Sequence, residues 1–197
     1  MVEIETPQGT ARVLLQHALE PKGALILGHG AGGSVSAPDL QVATRVALEE
    51  DFSVALVEQP YRVAGRANAP RAPKLDEAWL AVMEELSFDV PVVVGGRSSG
   101  ARVACRTADT VGAVGVLCLA FPLQPHARAS GTVPDSRLAE LDAVKVPVLV
   151  VQGQNDQFGV PPEGPNRRMV VLERDHGLKK DPAGLGEAIH DWLPTVV

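Results

Sequence analysis

What the chain lacks narrows what it can be. It holds only two cysteines in 197 residues, Cys105 and Cys118. The pattern puts one on a helix and the other inside a strand, and two buried thiols fit a reducing cytoplasm better than a disulfide framework. Neither a CxxC nor an HExxH motif occurs, so no metal and no other cofactor is expected. There is no excess of positive charge. Against 24 Asp and Glu stand 18 Lys and Arg, giving −6, and the cations are spread along the chain. Nucleic acid and anionic membrane surfaces are therefore not expected as partners. The apolar runs reach only about four to seven residues, too short to span a bilayer. The acidic, turn-forming opening MVEIETPQ does not read as a signal peptide. Internal repeats and low-complexity segments are also missing. The expectation is one cytoplasmic domain over residues 1–197, a monomer or homodimer, with a 45% hydrophobic composition that supplies a sizeable core.

What is present alternates. VEIET, a turn at Pro7-Gln8-Gly9 and TARVLLQH read as an antiparallel hairpin. From residue 24 onward, strands alternate with helices. The strands are ALILG, SVALVE, VPVVVGG, AVGVLCLA, VPVLVVQG and RRMVVLE. Helical spacing is read at 38–50, 74–86, 99–109 and 182–193. The inner strands are continuously apolar and rich in Val and Leu, as a parallel sheet covered by helices on both faces requires. The fold class is α/β, mostly parallel, with an antiparallel start. In such sheets chemistry sits in the loops after the carboxyl ends of the strands.

One of those loops reads Gly96-Arg97-Ser98-Ser99-Gly100, a G-x-S-x-G pattern between an apolar strand and a helix. Small residues two before and two after the serine let the backbone turn sharply, while the serine itself is strained and lifted into view. The N–H of Ser99 then points toward an oxyanion formed on a group attacked by Ser98. The bland alternative is a strand-to-helix turn with Ser99 as N-cap. Ser99 is the poorer nucleophile, because Arg97 would then occupy the crowded position.

A serine hydroxyl needs a base, and a neutral histidine held in one tautomer by a carboxylate supplies it. Asp156 follows the strand VPVLVVQG, and His176 follows RRMVVLE. The order Ser98, Asp156, His176 is the Ser…Asp…His order of α/β-hydrolases. Taken singly, Asp156 is also a good turn residue and His176 a good solvated loop residue; the coincidence of all three carries the reading. His17 and His190 sit away from strand-end loops, His126 has no suitable acid after it, and Asp175 is too close to His176 in the chain to orient its ring.

The loop Gly28-His29-Gly30-Ala31-Gly32-Gly33 offers the second half of an oxyanion hole through the N–H groups of Ala31 or Gly32, with His29 bracing the loop. The same hexapeptide also fits the dinucleotide pattern G-x-G-x-x-G, with Glu58 placed for a ribose. Two features weigh against that reading. Ser34-Val35-Ser36-Ala37 delay the helix beyond the glycines, and a nucleotide site leaves Ser98, Asp156 and His176 without a role.

At these residues the chain resembles the α/β-hydrolase superfamily, from about residue 10 to the last helix. GHGAGG, PYRVAGRANAPRAPKLDEAW, GGRSSGAR, QGQNDQFG and DHGLKK are similar to a small, lidless group near the dienelactone-hydrolase-like proteins, a group that includes domains of eukaryotic chromatin-complex subunits. The resemblance implies an α/β-hydrolase fold, a Ser98–His176–Asp156 triad and an oxyanion loop at 28–33. Dienelactone hydrolases proper carry a cysteine nucleophile where this chain has Ser98, which removes the main reason to assign their substrate.

Residues 120–145, with Pro122, Pro125 and Pro134, are too short and turn-rich for a lid, so an open, shallow site is expected. Tyr61, Arg62, Phe121 and Phe158 are candidates to line it. Arg62, Arg66 and Arg71 offer charge to a carboxylate-bearing acyl group. The expected function is hydrolysis of small carboxylic esters or thioesters; the alternative is a fold kept as a non-catalytic binding scaffold.

Overall fold

A computed structural model describes residues 1–125, 131–132, 134–173, 175–178 and 181–197. The candidate His126 lies outside the described residues. The strands are β1 (Val2–Thr6), β2 (Gly9–Gln16), β3 (Gly23–Gly28), β4 (Phe52–Glu58), β5 (Val92–Arg97), β6 (Gly115–Leu119), β7 (Val148–Gly153) and β8 (Arg167–Leu172). The helices are α1 (Pro38–Glu49), α2 (Pro60–Val63), α3 (Ala72–Glu85), α4 (Ser99–Thr107), α5 (Leu138–Asp142) and α6 (Pro182–Trp192), followed by a 3-10 turn, Leu193–Val196.

The strands form one sheet in the order β1-β2-β4-β3-β5-β6-β7-β8. β2 pairs antiparallel with both β1 and β4, and every pairing from β4 to β8 is parallel. The expected mostly parallel sheet with an antiparallel start is therefore present. Alternation along the strands sorts side chains to two faces. Ala24, Ile26, Val94, Val116 and Val150 pack with Leu75, Trp79 and Val82 of α3 and Ala101 and Ala104 of α4. Leu25, Leu27, Val93, Leu117 and Val151 pack with Leu40, Ala43 and Val46 of α1 and Leu185, Ile189 and Trp192 of α6. Each fully buried Leu or Val contributes about 1.5–3 kcal/mol of burial free energy, so both helical layers are held firmly to the sheet.

Proline opens the first turn of α1, α2, α3 and α6, where its missing N–H costs nothing. The short helices α2 and α5 were not expected: each lies in a turn-rich loop and is too brief to show a period. Among the described residues between β6 and β7, α5 is the only regular element and no lid is seen.

The helix after Ser98 is clamped from outside. Arg102 donates to both carboxylate oxygens of Glu140 at 2.8 and 2.6 Å. Arg106 makes a matching fork to Asp76 at 2.8 and 2.6 Å. These two-pronged pairs tie α4 to α5 and α3, so the start of α4 is a rigid platform.

Candidate active site

The turn from β5 into α4 is tight because two glycines meet one carbonyl. Cβ atoms added at Gly96 or Gly100 would each lie 2.3 Å from the Gly28 oxygen of β3. Only glycine lets β3, β5 and α4 approach this closely. Between the two, Ser98 is driven to φ 51, ψ −106. A non-glycine residue held there stores about 1–3 kcal/mol of backbone strain. Ser98 occupies the N-cap position of α4, yet its hydroxyl makes no cap hydrogen bond; it is turned toward His176 instead.

Three strand-end loops converge on that hydroxyl. His176 Nε2 lies 3.1 Å from Ser98 Oγ, and His176 Nδ1 lies 2.8 Å from Asp156 Oδ2. A carboxylate only accepts, so Nδ1 carries the ring proton and Nε2 presents its lone pair to the serine O–H. The Asp156 side chain is fully buried and that of His176 is 16% exposed.

The carboxylate is satisfied on every side. Oδ2 also accepts from Gln152 Nε2 at 2.7 Å, and Oδ1 accepts from the Phe158 N–H at 2.9 Å. The Phe158 contact is an Asx turn, so Asp156 is both a turn residue and the partner of His176. Gln152 Nε2 also faces the carbonyls of Phe121 and Gly159 at 3.1 and 2.9 Å. Those oxygens fix which way the amide points. The ring of Phe158 meets that of His176 edge-on, with centroids 4.7 Å apart. The Phe158 ring therefore lies directly against the imidazole.

The glycine-rich loop is braced from behind. His29 Nδ1 lies 2.8 Å from the Gly30 carbonyl, and His29 Nε2 accepts from the Gln59 N–H at 3.0 Å. That pattern demands the neutral ring with its proton on Nδ1, and burial pushes the His29 pKa below its ordinary value. Tyr61 Oη donates to the Ala31 carbonyl at 2.7 Å. Burial pushes the Tyr61 phenol up to about 12, so it remains a donor. Ala31 and Gly32 are exposed at the tip of the loop. Ser99 opens α4, and first-turn N–H groups have no partner within their helix. α1 begins only at Pro38, past the glycines, so a pyrophosphate at this loop would not meet the helix start that a dinucleotide site needs.

Three lining candidates require correction. Phe121 has no exposed surface and lies in the core beneath the sheet, so its ring lines nothing. Tyr61 is buried and serves as a strut to Ala31. Arg62 is turned to its own loop, with Nη1 donating to the Arg66 carbonyl at 3.1 Å. Arg66 lines a cleft of about 450 Å³ with Lys74, and Arg106 lines one of about 720 Å³; none of Ser98, Asp156 and His176 borders either. Arg71 is exposed at the start of α3. Among the described residues, no group of three or more His, Cys, Asp or Glu is arranged to hold a metal ion.

Sequence reasoning overlooked three supporting residues. Gln152 ends an apolar run and reads as its polar terminus. Asp39 reads as an ordinary first-turn acid of α1. Arg97 reads as bulk beside Ser98. In the structure Arg97 Nε lies 2.8 Å from Asp39 Oδ2, and Arg97 Nη2 donates to the His176 carbonyl at 3.2 Å. The Asp39 contact is an ion contact approached off the hydrogen-bond axis. Burial pushes the Asp39 carboxyl above its ordinary value, against the pull of the Arg97 guanidinium.

Comparison with known proteins agrees with this architecture. A family model described as an alpha/beta hydrolase domain matches residues 21–171. The fold is similar to that of Est1E from Butyrivibrio proteoclasticus, solved with ferulic acid, at 15% identity and TM-score 0.79, covering 100% of this chain and 99% of that one. An α/β serine hydrolase without a lid from Xanthomonas campestris is similar at 18% identity and TM-score 0.71, covering 98% and 94%. Dienelactone hydrolase from Anabaena variabilis is similar at 16% identity and TM-score 0.76, covering 100% and 96%. No curated protein matches the sequence.

Proposed function

The chain belongs to the alpha/beta hydrolase family, and from that premise we propose that it is a serine hydrolase of small carboxylic esters or thioesters. The observation that carries the reading is the unbroken relay Ser98 Oγ to His176 Nε2 at 3.1 Å and His176 Nδ1 to Asp156 Oδ2 at 2.8 Å.

The chemistry follows from the geometry. Ser98 Oγ attacks the acyl carbon while His176 Nε2 takes its proton. The developing imidazolium is stabilised by Asp156, whose charge is fixed by Gln152 and the Phe158 N–H. The carbonyl oxygen becomes an oxyanion received by the N–H of Ser99 and by that of Ala31 or Gly32; each such donor is worth about 10²–10³ in rate. His176 returns the proton to the departing alcohol or thiol, leaving an acyl-serine. Water, deprotonated by His176, attacks that ester, and the acid leaves as Ser98 is reprotonated. Strain at Ser98 supports catalysis over a purely binding role, because a scaffold gains nothing from lifting a serine out of a helix cap.

Hydrolysis of short-chain p-nitrophenyl esters tests the proposal. Turnover by the wild type, lost in Ser98→Ala and His176→Ala variants of unchanged melting temperature, is expected. Equal turnover by all three would overturn it.

A further inference from the structure

Two thiols that the relay does not use face each other behind it. Cys105, in the last turn of α4, and Cys118, in β6, are both free, and their Sγ atoms lie 3.5 Å apart. Their surroundings differ. Cys105 borders the cleft of about 720 Å³ beside α4 and α5, among Ala108, Ala113, Ala139, Ala143 and Val144. That cleft gives a small solute a way to its sulfur. Cys118 has no exposed surface and does not border the cleft. The hydrogen bond with Cys105, and then burial, push the Cys118 thiol well above its ordinary value, so Cys118 rests protonated against its neighbour.

Both members of the pair bear on Ser98. Cys105 rides on the helix that Ser98 caps. Cys118 stands opposite Gly96 in the β5–β6 register, and the carbonyl of the next residue, Leu119, accepts the Ser98 N–H at 2.9 Å.

We propose that Cys105 and Cys118 are an oxidisable pair, with a hydroperoxide as oxidant, and that their disulfide lowers turnover; the effect on turnover rests on the serine-hydrolase reading above. The Cys105 sulfur attacks a peroxide oxygen. An S–O bond forms, the O–O bond breaks, and the departing oxygen leaves as water with the Cys105 proton. Cys118 then attacks the Cys105 sulfur. The S–S bond forms, the S–O bond breaks, and hydroxide departs with the Cys118 proton as a second water. The two thiols lose two electrons and the peroxide gains them. A disulfide is about 2 Å long, so the sulfurs must close from 3.5 Å by about 1.5 Å. Both sit in one layer with Ala101, Ala104 and Val116, and close-packed layers transmit strain. At its start α4 cannot come nearer the sheet, because Gly100 already meets the Gly28 backbone. The pull on Cys105 therefore tilts α4 about that contact, while the pull on Cys118 strains the strand that holds the Ser98 N–H.

The test treats the native protein with hydrogen peroxide, blocks remaining thiols with iodoacetamide in denaturant, and reads tryptic peptides by mass without reductant. The expected product joins the peptide of residues 103–106 to the one that begins at residue 107, with two hydrogens lost. Turnover of p-nitrophenyl esters should fall about tenfold as that product accumulates, the effect of moving Ser98 by part of an ångström. Dithiothreitol should restore both thiols and turnover. Cys105→Ala should keep its Cys118 thiol and its turnover under the same treatment. Cys118→Ala should carry added oxygen on Cys105 instead of a cross-link. Both thiols still alkylated in treated wild type, a disulfide with unchanged turnover, or an equal loss of turnover in Cys105→Ala would each overturn the proposal. Untreated, folded wild type that hydrolyses no ester would strike at the serine-hydrolase reading, while the peptide masses, which need no activity, still decide whether the disulfide forms.

Discussion

Replacing Gly100 by alanine probes the joint on which the site is built. The new Cβ would sit 2.3 Å from the Gly28 oxygen and 2.5 Å from the Gly28 carbonyl carbon, where real contacts do not fall below 3.0 Å. Both neighbours are backbone, so no side chain can swing aside. Either the end of β3 or the start of α4 must retreat by roughly 0.7 Å. α4 resists, since Arg102 and Arg106 fork it to Glu140 and Asp76. The retreat therefore separates Ser98 from the loop at 28–33. Overpacking of this kind costs about 1–3 kcal/mol. For a chain of this size that lowers the melting temperature by about 2–12 °C. A displacement approaching 1 Å costs roughly 10² in turnover. Circular dichroism melting and ester hydrolysis measure the two effects on one preparation. Gly32→Ala is the control for stability, because its Cβ meets nothing within 4 Å. A Gly100→Ala protein with wild-type melting and wild-type turnover would refute the argument that this contact sets the position of Ser98.

Other outcomes follow from the same contacts. Asp156→Asn should turn an amide N–H toward His176 Nδ1 and force the ring proton onto Nε2, lowering kcat about 10⁴-fold in a steady-state ester assay. Tyr61→Phe removes the donor to the Ala31 carbonyl and should cost about 1 kcal/mol, seen as a melting temperature lower by about 2–4 °C. The folded pKa of His29 lies below its ordinary 6.5. The unfolded chain therefore binds the extra proton more readily, and the stability tied to the neutral ring is present above pH 6.5 and lost as pH falls below it. Thermal melts from pH 7.5 to 5 should show that loss, and His29→Gln should flatten it.

The sheet was legible because its strands are unbroken Val and Leu runs separated by helical spacing. The three converging residues were legible because each directly follows such a run. The lining was not. Phe121 lies directly beyond β6 in sequence, yet its ring folds down into the core while only its carbonyl serves Gln152. Tyr61 lies on a one-turn helix too short to leave a period, and its hydroxyl is spent on Ala31. Arg97, Asp39 and Gln152 were missed for a common reason: their partners are distant in sequence or are backbone carbonyls, and carbonyls leave no mark on residue type.

The relay itself is tested most directly by a fluorophosphonate, which bonds irreversibly only to a serine whose proton has a ready acceptor. Labelling of the native protein, mapped by peptide mass spectrometry, should fall on Ser98, vanish in Ser98→Ala and drop steeply in His176→Ala. Native protein that stays unlabelled, or that carries the label on another residue, would contradict the account.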